Sequence, residues 1–264
     1  MTDVVENFSS CPRWFEMMIT LKKCYLTKLS TVRQPWYLIA NISVECGADF
    51  VKNLLPLKYL VNKDDVKAIV LPFNAKTEGI SLTIGIGNDI AVEMRLKKLM
   101  PNLKFFGVDP LHEDGILFEQ LGQYRKIGIS EKGGSLNASV LENGLYVWRI
   151  IESITMNELL HDFKLSEVDF LFLDIEGVEY TALPSILSSE MTKGIFCQIN
   201  VELHGPLMDY GATMKDFFRI LKTIFMSSSS YIPLWIPLPT MHHRIFLVNW
   251  RHPYCLKKYF SYWC

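Results

Sequence analysis

The sequence predicts an α/β protein built on a mainly parallel sheet with helices on both faces. Two patterns carry this. From Ile80 onward, short apolar β-rich runs alternate with segments of helical periodicity. Three of the runs are uninterrupted, as expected of strands covered on both faces.

The elements follow in order. Residues 1–75 lack clear strand alternation, and Pro12, Pro35, Pro56 and Pro72 cut them into short helical or extended pieces. They read as an N-terminal extension packing on a main domain of residues 76–250, with a tail at 251–264. ISLTIGIG is the first strand, and IAVEMRLKKLM places Val92, Leu96 and Leu99 at helical spacing among charged residues. LKFFGVD is a second strand, followed by a helix from Glu113 to Leu121, and YRKIGIS is a third. EKGGSLNAS reads as a loop from its Gly, Ser and Asn content. In ITMNELLHDF, Thr155 and Glu158 have capping-box spacing at the start of a helix. VDFLFLDIEG is a fourth strand, VEYTALPSIL a helix that Pro184 starts or kinks, and IFCQINVELHG a fifth strand. DFFRILKTIF is a helix, the serines at 227–230 a loop before YIPLWIPLP, and HRIFLVNW the last strand.

The whole chain narrows the function classes. Its 264 residues are 49% hydrophobic and 12% aromatic, enough for a sizeable core. A net charge of −1 gives no basic field for nucleic acid. Lys22, Lys23, Lys28, Lys257 and Lys258 read as solvated surface. No apolar run approaches the roughly 20 residues of a membrane-spanning helix. The segment MTDVVENFSS is acidic and polar, where a secretory signal is basic and then apolar. The expected location is therefore cytoplasmic, with a secretory-pathway lumen open if an upstream anchor is missing. The six cysteines show no zinc-ligand spacing. Cys197 reads as a small buried hydrophobe, and the other five, near the two ends, leave disulfides open. Asn7, Asn41 and Asn137 begin N-x-S sequons, motifs too short to carry weight alone.

Candidate site residues are those that end the strands, because open α/β sheets bind ligands beyond the strands' carboxyl ends. The first strand ends in GIGND. Gly85 and Gly87 permit a tight turn and close backbone approach, and Asn88 or Asp89 can cap the next helix. The second ends on Asp109, an acid 22 residues after Gly87 and suited to ribose hydroxyls. A dinucleotide fingerprint would place Gly or Ala at position 90, where this chain has Ile90. That favours a cofactor without phosphates, and Asp89 suits a cationic amino-acid moiety; S-adenosylmethionine meets both conditions. The fourth strand ends with Asp174, Glu176 and Gly177, and the fifth with Glu202, His204 and Gly205. Along the fifth, Gln198, Asn200, Glu202 and His204 share one face. That face belongs either to a half-exposed edge strand or to a cleft shared with Asp174 and Glu176. An imidazole beside carboxylates is a credible general base for a hydroxyl substrate. The same groups could bind a divalent cation, although no metal is assigned.

The segments ISLTIGIGNDIAVEMRLKKLMPNLKFFGVDP, YRKIGIS, ITMNELLHDFKLSEVDFLFLDIEGVEYTALPSIL and QINVELHGP resemble the FkbM-type methyltransferase family. The resemblance spans roughly residues 75–250 and is most specific in DFLFLDIEGVEY, which departs from the family pattern at Phe172, where lysine is usual. It implies the Rossmann-like class I methyltransferase fold with a mainly parallel seven-stranded sheet, S-adenosylmethionine as cofactor, and methyl transfer to oxygen. The acceptor would be a hydroxyl on a small molecule or glycan. By resemblance, Gly85, Gly87, Asn88 and Asp89 border the methionine part of the cofactor, Asp109 its ribose, and Ile129 and Ser130 its adenine. Asp174 lies below the reacting methyl, and Glu202 and His204 line the acceptor side. His204 is the first candidate for the base and Asp174 the second. Two other readings stand beside this: a catalytically silent binding or scaffold relative, and a nicotinamide-dependent or other nucleotide-binding enzyme, disfavoured by Ile90.

Trp14, Trp36, Trp148 and Trp235 read as core or interface anchors, and His242 and His243 as surface loop more than pocket wall. The tail RHPYCLKKYFSYWC is aromatic enough to pack back on the domain or to hold a partner.

Overall fold

The computed structural model describes residues 11–47, 53–63, 65–142, 144–188, 195–205, 212–238 and 241–264. Asn7 and the acidic N-terminal segment lie outside them. Two helices come first, α1 (Pro12–Ser30) and α2 (Pro35–Glu45), each with proline in its first turn, where no backbone donor is lost. A hairpin follows, β1 (Leu57–Val61) and β2 (Val66–Val70).

The main sheet is built from β3 (Gly79–Ile84), β4 (Leu103–Asp109), β5 (Gln123–Lys126), β9 (Glu167–Leu173), β10 (Ile195–Leu203), β11 (Tyr231–Trp235) and β12 (His243–Asn249). Its order is β11-β12-β10-β9-β3-β4-β5, seven strands of which only β12 runs antiparallel to its neighbours. The order reverses between β3 and β9, so a crevice opens at their carboxyl ends. Between the strands lie α3 (Ala91–Leu99), the single turn α4 (His112–Gly115), α5 (Met156–Phe163), α6 (Glu179–Leu187) and α7 (Met214–Phe225).

β9 sits at the centre because its sequence tolerates nothing else. Val168, Phe170, Leu171, Phe172 and Leu173 are all buried, and each such side chain stabilises the fold by roughly 1.5–3 kcal/mol. Asp169 is buried among them with its charge answered: it accepts from Ile80 N at 2.8 Å and Tyr259 Oη at 2.7 Å, and pairs with Lys258 Nζ at 2.7 Å. The tail therefore packs back on the domain, as helix α8 (Pro253–Cys255) and the helical turns after it. Trp14 stacks on Phe260 in that tail, ring centroids 4.4 Å apart.

Thr155 and Glu158 form the capping box that opens α5. Pro184 sits inside α6, where it cannot bond the carbonyl of Tyr180; Arg219 Nη2 donates to that oxygen instead, at 2.9 Å.

Several expectations change. EKGGSLNAS is not a loop throughout: β6 (Gly128–Ile129), β7 (Gly134–Glu142) and β8 (Leu145–Ile154) make a second, three-stranded sheet. Gly133 and Gly134, both at positive φ, turn the chain into β7, and cross-strand pairing then outweighs the loop-like composition. YRKIGIS is split between β5 and β6, which belong to different sheets. The helix expected over 113–121 is one α turn followed by a 3-10 segment. Cys197 is not a lone hydrophobe: disulfides join Cys197 to Cys255, Cys11 to Cys264 and Cys24 to Cys46, so no cysteine is free. Lys22 is buried, donating to the carbonyls of Met226 and Ser229, and Lys258 is held by Asp169. Trp14 and Trp36 are core residues, whereas Trp148 is exposed on β8. His243 is fully buried rather than in a surface loop. Among the described residues no helix is long and apolar enough to cross a membrane.

Candidate active site

The polar face of β10 has two different uses. β10 is paired on both sides, by β9 and β12, so the edge-strand explanation fails. Gln198 exchanges two hydrogen bonds with the backbone of Val70, at 2.7 and 2.9 Å, and Asn200 does the same with Ala68, both at 2.8 Å. These side-chain amides dock β2 across the sheet as a further strand would. Only Glu202 and His204, farther along, are left for the site.

A cleft opens over the switch point between β3 and β9. Gly85, Gly87, Asp89, Asp109, Ile129, Asp174 and Glu176 line it, with Lys67, Glu93 and Asp114. Leu136, Val140 and Tyr146 of the β7–β8 hairpin close one side. Asn88, Ser130, Glu202 and His204 are not among the lining residues. Asn88 is exposed at φ 57° and its N–H donates to Asp114 O at 3.1 Å. Ser130 Oγ is taken up by Ser153 Oγ at 2.8 Å and by Gly133 N at 3.0 Å.

The glycine turn is held by acids. Asp109 Oδ2 accepts from Ile86 N at 2.8 Å and Gly87 N at 3.2 Å, and Oδ1 from Leu111 N at 2.9 Å. Burial pushes its pKa up, and those three donors pull it back. Asp89 Oδ1 accepts from Ala91 N at 2.8 Å, covering a free donor at the start of α3, and its other oxygen accepts from Lys63 N at 3.2 Å. The two glycines differ. A side chain at Gly85, φ 82°, would overlap the carbonyl oxygen of Asp174, whereas at Gly87, φ 57°, it would meet no atom within 4 Å. Gly85 lets two strand ends meet; Gly87 leaves space above the turn.

At the end of β9 the chain turns through Glu176 at φ 51° and Gly177 at φ 94°. A non-glycine residue in the left-handed region carries a conformational cost, and here it aims a carboxylate at His204. His204 Nε2 lies 3.0 Å from Glu176 Oε2 and 3.8 Å from Asp174 Oδ1, and Nδ1 lies 3.0 Å from Glu179 Oε1. Glu179, fully buried, also accepts from Ile175 N and Gly177 N, both at 2.8 Å. Burial alone would lower the His204 pKa, but the Glu179 carboxylate, followed by Glu176 and Asp174, pushes it up to about 11. Burial raises Asp174 to about 6 against the attraction of Lys67 and His204. Burial, then Asp174, raises Glu202 to about 8, with Lys67 and Arg244 opposing.

Behind the cleft, Asp65 is ion-paired with both Lys67 and Arg244, and Arg244 Nη2 donates to Glu202 at 2.9 Å. Lys67, Glu93, Asp114 and Glu179 were not picked out from the sequence. Glu179 carried a usable signal, since the second glutamate in DIEGVE falls about one helical turn beyond Glu176. Lys67 carried none, because nothing local to β2 announces that it crosses β10.

This strand order, with a reversed strand last in chain order and a glycine turn and acids at the switch point, defines a class I methyltransferase fold. The chain belongs to the FkbM methyltransferase family: the model described as "Methyltransferase FkbM domain" matches residues 45–231, more than half its length. It is an S-adenosylmethionine-dependent methyltransferase by that membership. No curated protein matches it in sequence.

Solved structures overlap it partially. A Methanococcus jannaschii fibrillarin pre-rRNA processing protein matches at 10% identity and TM-score 0.42, covering 70% of this chain and 71% of that one. An Aeropyrum pernix fibrillarin in complex with natively bound S-adenosyl-L-methionine matches at 10% and 0.41, covering 68% and 70%. A conserved hypothetical protein of Streptococcus pyogenes matches at 9% and 0.39, covering 67% and 89%.

Proposed function

We propose that this chain transfers a methyl group from S-adenosylmethionine to a hydroxyl oxygen of a small molecule or glycan. The observation that carries the reading is the placement of Asp174: part-exposed on the cleft floor, one strand from the glycine turn, with His204 and Glu202 buried behind it.

The residues present fit the cofactor. The open space over Gly87 accommodates a ligand where a Cβ would intrude. Asp89 at the same turn suits an ammonium group. Asp109, with Asp114 beside it in the cleft lining, suits the ribose hydroxyls, and Ile129 with the apolar hairpin side chains suits the adenine. When bound, the cofactor supplies an already activated methyl group, so what remains for the protein is alignment and removal of one proton.

Asp174 is our candidate for taking that proton, ahead of His204; what supports this choice is that Asp174 lines the cleft and His204 does not. His204 then acts from behind, orienting Asp174 and Glu176. Glu202, tied to Arg244, supports the same wall. Phe172, standing in the family's lysine position, keeps the silent-relative reading in view. Against it, Lys67, its ammonium paired with Asp65, lines the same cleft as Phe172.

Calorimetry with S-adenosylhomocysteine and a methyl-transfer assay on a panel of hydroxyl-bearing acceptors test the proposal. The expected result is binding to wild type and to Asp174→Asn, with turnover lost only in the variant. Absence of binding would sink the cofactor placement. Binding with no turnover on any acceptor would favour the silent relative.

For location, the three disulfides support the lumenal expectation over the cytoplasmic one, because such bonds persist in oxidising compartments. Intact mass of the protein from its native source, gaining two hydrogens per bridge on reduction, checks this.

A further inference from the structure

We infer that Asp174, Glu176 and His204 form a divalent-cation site of the Mn²⁺ or Mg²⁺ class at the acceptor end of the cleft. The inference rests on the methyltransferase reading for its purpose and on the geometry of four side chains for its chemistry.

Start from Glu179. Its two carboxylate oxygens accept the N–H groups of Ile175 and Gly177, each at 2.8 Å. Backbone N–H groups can only donate, so Glu179 is fixed as an acceptor. His204 Nδ1, 3.0 Å from Glu179 Oε1, therefore carries a hydrogen and donates it. In a neutral ring the other nitrogen, Nε2, then presents its lone pair to Glu176 Oε2 at 3.0 Å and Asp174 Oδ1 at 3.8 Å. A lone pair facing two carboxylates repels them unless positive charge stands between. A proton is one way to supply it and a metal ion is the other.

The carboxylate on the far side of the ring favours the ion. A ligating imidazole characteristically donates its far N–H to a carboxylate, which sets the tautomer and raises the basicity of the ligand nitrogen. Glu179 does this from full burial. One potential ligand atom from each of Asp174, Glu176 and His204 lies within 4.8 Å of the others, close enough for the three to share one ion. Two carboxylates and an imidazole make an oxygen-rich set that suits Mn²⁺ or Mg²⁺. Asp174 and Glu176 also line the cleft, which leaves remaining coordination positions to face an incoming acceptor.

A second trio, Glu202, His204 and His242, is also close enough to hold an ion. It fits less well. His242 Nδ1 faces the backbone N–H of Gly205 at 3.4 Å, so a neutral His242 keeps its hydrogen on Nε2. Glu202 Oε1 is already occupied by Arg244 at 2.9 Å.

Mn²⁺ titration of the chelator-dialysed full chain, followed by the electron paramagnetic resonance of free Mn²⁺, tests the inference. One ion per chain is expected. Glu176→Gln should weaken binding at least tenfold, and the positioning change Glu179→Gln by roughly 10- to 100-fold. Glu202→Gln and His242→Gln should leave it unchanged. Glu176 lies at the cleft wall, so its variant is expected to keep the wild-type circular dichroism and unfolding temperature. The inference fails if wild type shows no saturable site, if Glu176→Gln binds as wild type does, or if Glu202→Gln and His242→Gln are the variants that lose the ion. S-adenosylhomocysteine binding to the same metal-free protein reads the cofactor site independently. Its presence without Mn²⁺ binding removes the cation alone, and its absence removes the methyltransferase reading instead.

Discussion

Gly85 and Asp174 meet backbone to backbone at the centre of the cleft, so closely that any side chain at Gly85 would overlap the Asp174 carbonyl oxygen. Asp174 N donates to Ile84 O at 2.9 Å, which brings the ends of β3 and β9 to the same level. The glycine turn and the strand end that carries Asp174 are thus one construction, and changes at either glycine should be separable in their effects.

Gly85→Ala must relieve both a clash with backbone and a positive φ. We expect a loss of about 3 kcal/mol or more, read by urea unfolding. Gly87→Ala has space around it and should cost only about 1 kcal/mol. Gly87 lines the cleft, so the main effect of the added methyl should be weaker binding of S-adenosylhomocysteine by calorimetry. Equal stability losses in the two variants would contradict the distinction.

Asp109→Asn replaces one accepting oxygen with an amide nitrogen that cannot accept. Three backbone donors converge on Asp109, from Ile86, Gly87 and Leu111. At least one is left unsatisfied, at about 2 kcal/mol for a bond to a charged group. Urea unfolding should report that loss, and cofactor affinity should fall with it because the glycine turn loosens.

Glu179→Ala removes the acceptor of two backbone donors and the partner of a buried imidazole. Breaking a buried pair on one side costs about 3–5 kcal/mol. Glu179→Gln, which keeps an acceptor oxygen, should lose clearly less in the same unfolding measurement.

His243 provides an acid-sensitive contribution to stability. Its ring packs against Trp36 and Phe217, and Nε2 donates to Trp36 O at 2.6 Å. Burial, opposed by that hydrogen bond, lowers its pKa from 6.5 to about 4. As pH falls from 6.5 toward 4 the unfolded chain takes up a proton that the folded one refuses. Stability should therefore fall through that window by about 3 kcal/mol and lose nothing further below it on this account. His243→Phe should remove that share of the pH dependence in urea unfolding series.

The disulfides differ in reach. Cys11–Cys264 spans 253 residues of sequence and Cys24–Cys46 only 22. Loop-closure entropy predicts about 5 kcal/mol for the long link and about 3 for the short one. Paired substitutions to serine, compared by thermal unfolding, should rank in that order.

Much of this protein was legible in its sequence because strand and helix periods are local. The alternation of elements from Ile80, the GxG turn, the capping box at Thr155 and the acids ending DFLFLDIEG depend on neighbours a few residues apart. So does the family pattern that these segments carry. Tertiary structure alone decided the rest. Gln198 and Asn200 have the same polarity and alternation as Glu202 and His204, yet they bind the backbone of β2, more than 120 residues away in sequence. Lys67 reaches the cleft only because of that docking. Cys197 finds Cys255, and Asp169 its tail partners, through packing that no local pattern encodes. Residue type determined what each of these side chains could do; which of them face one another was settled by the long-range closure of the sheet.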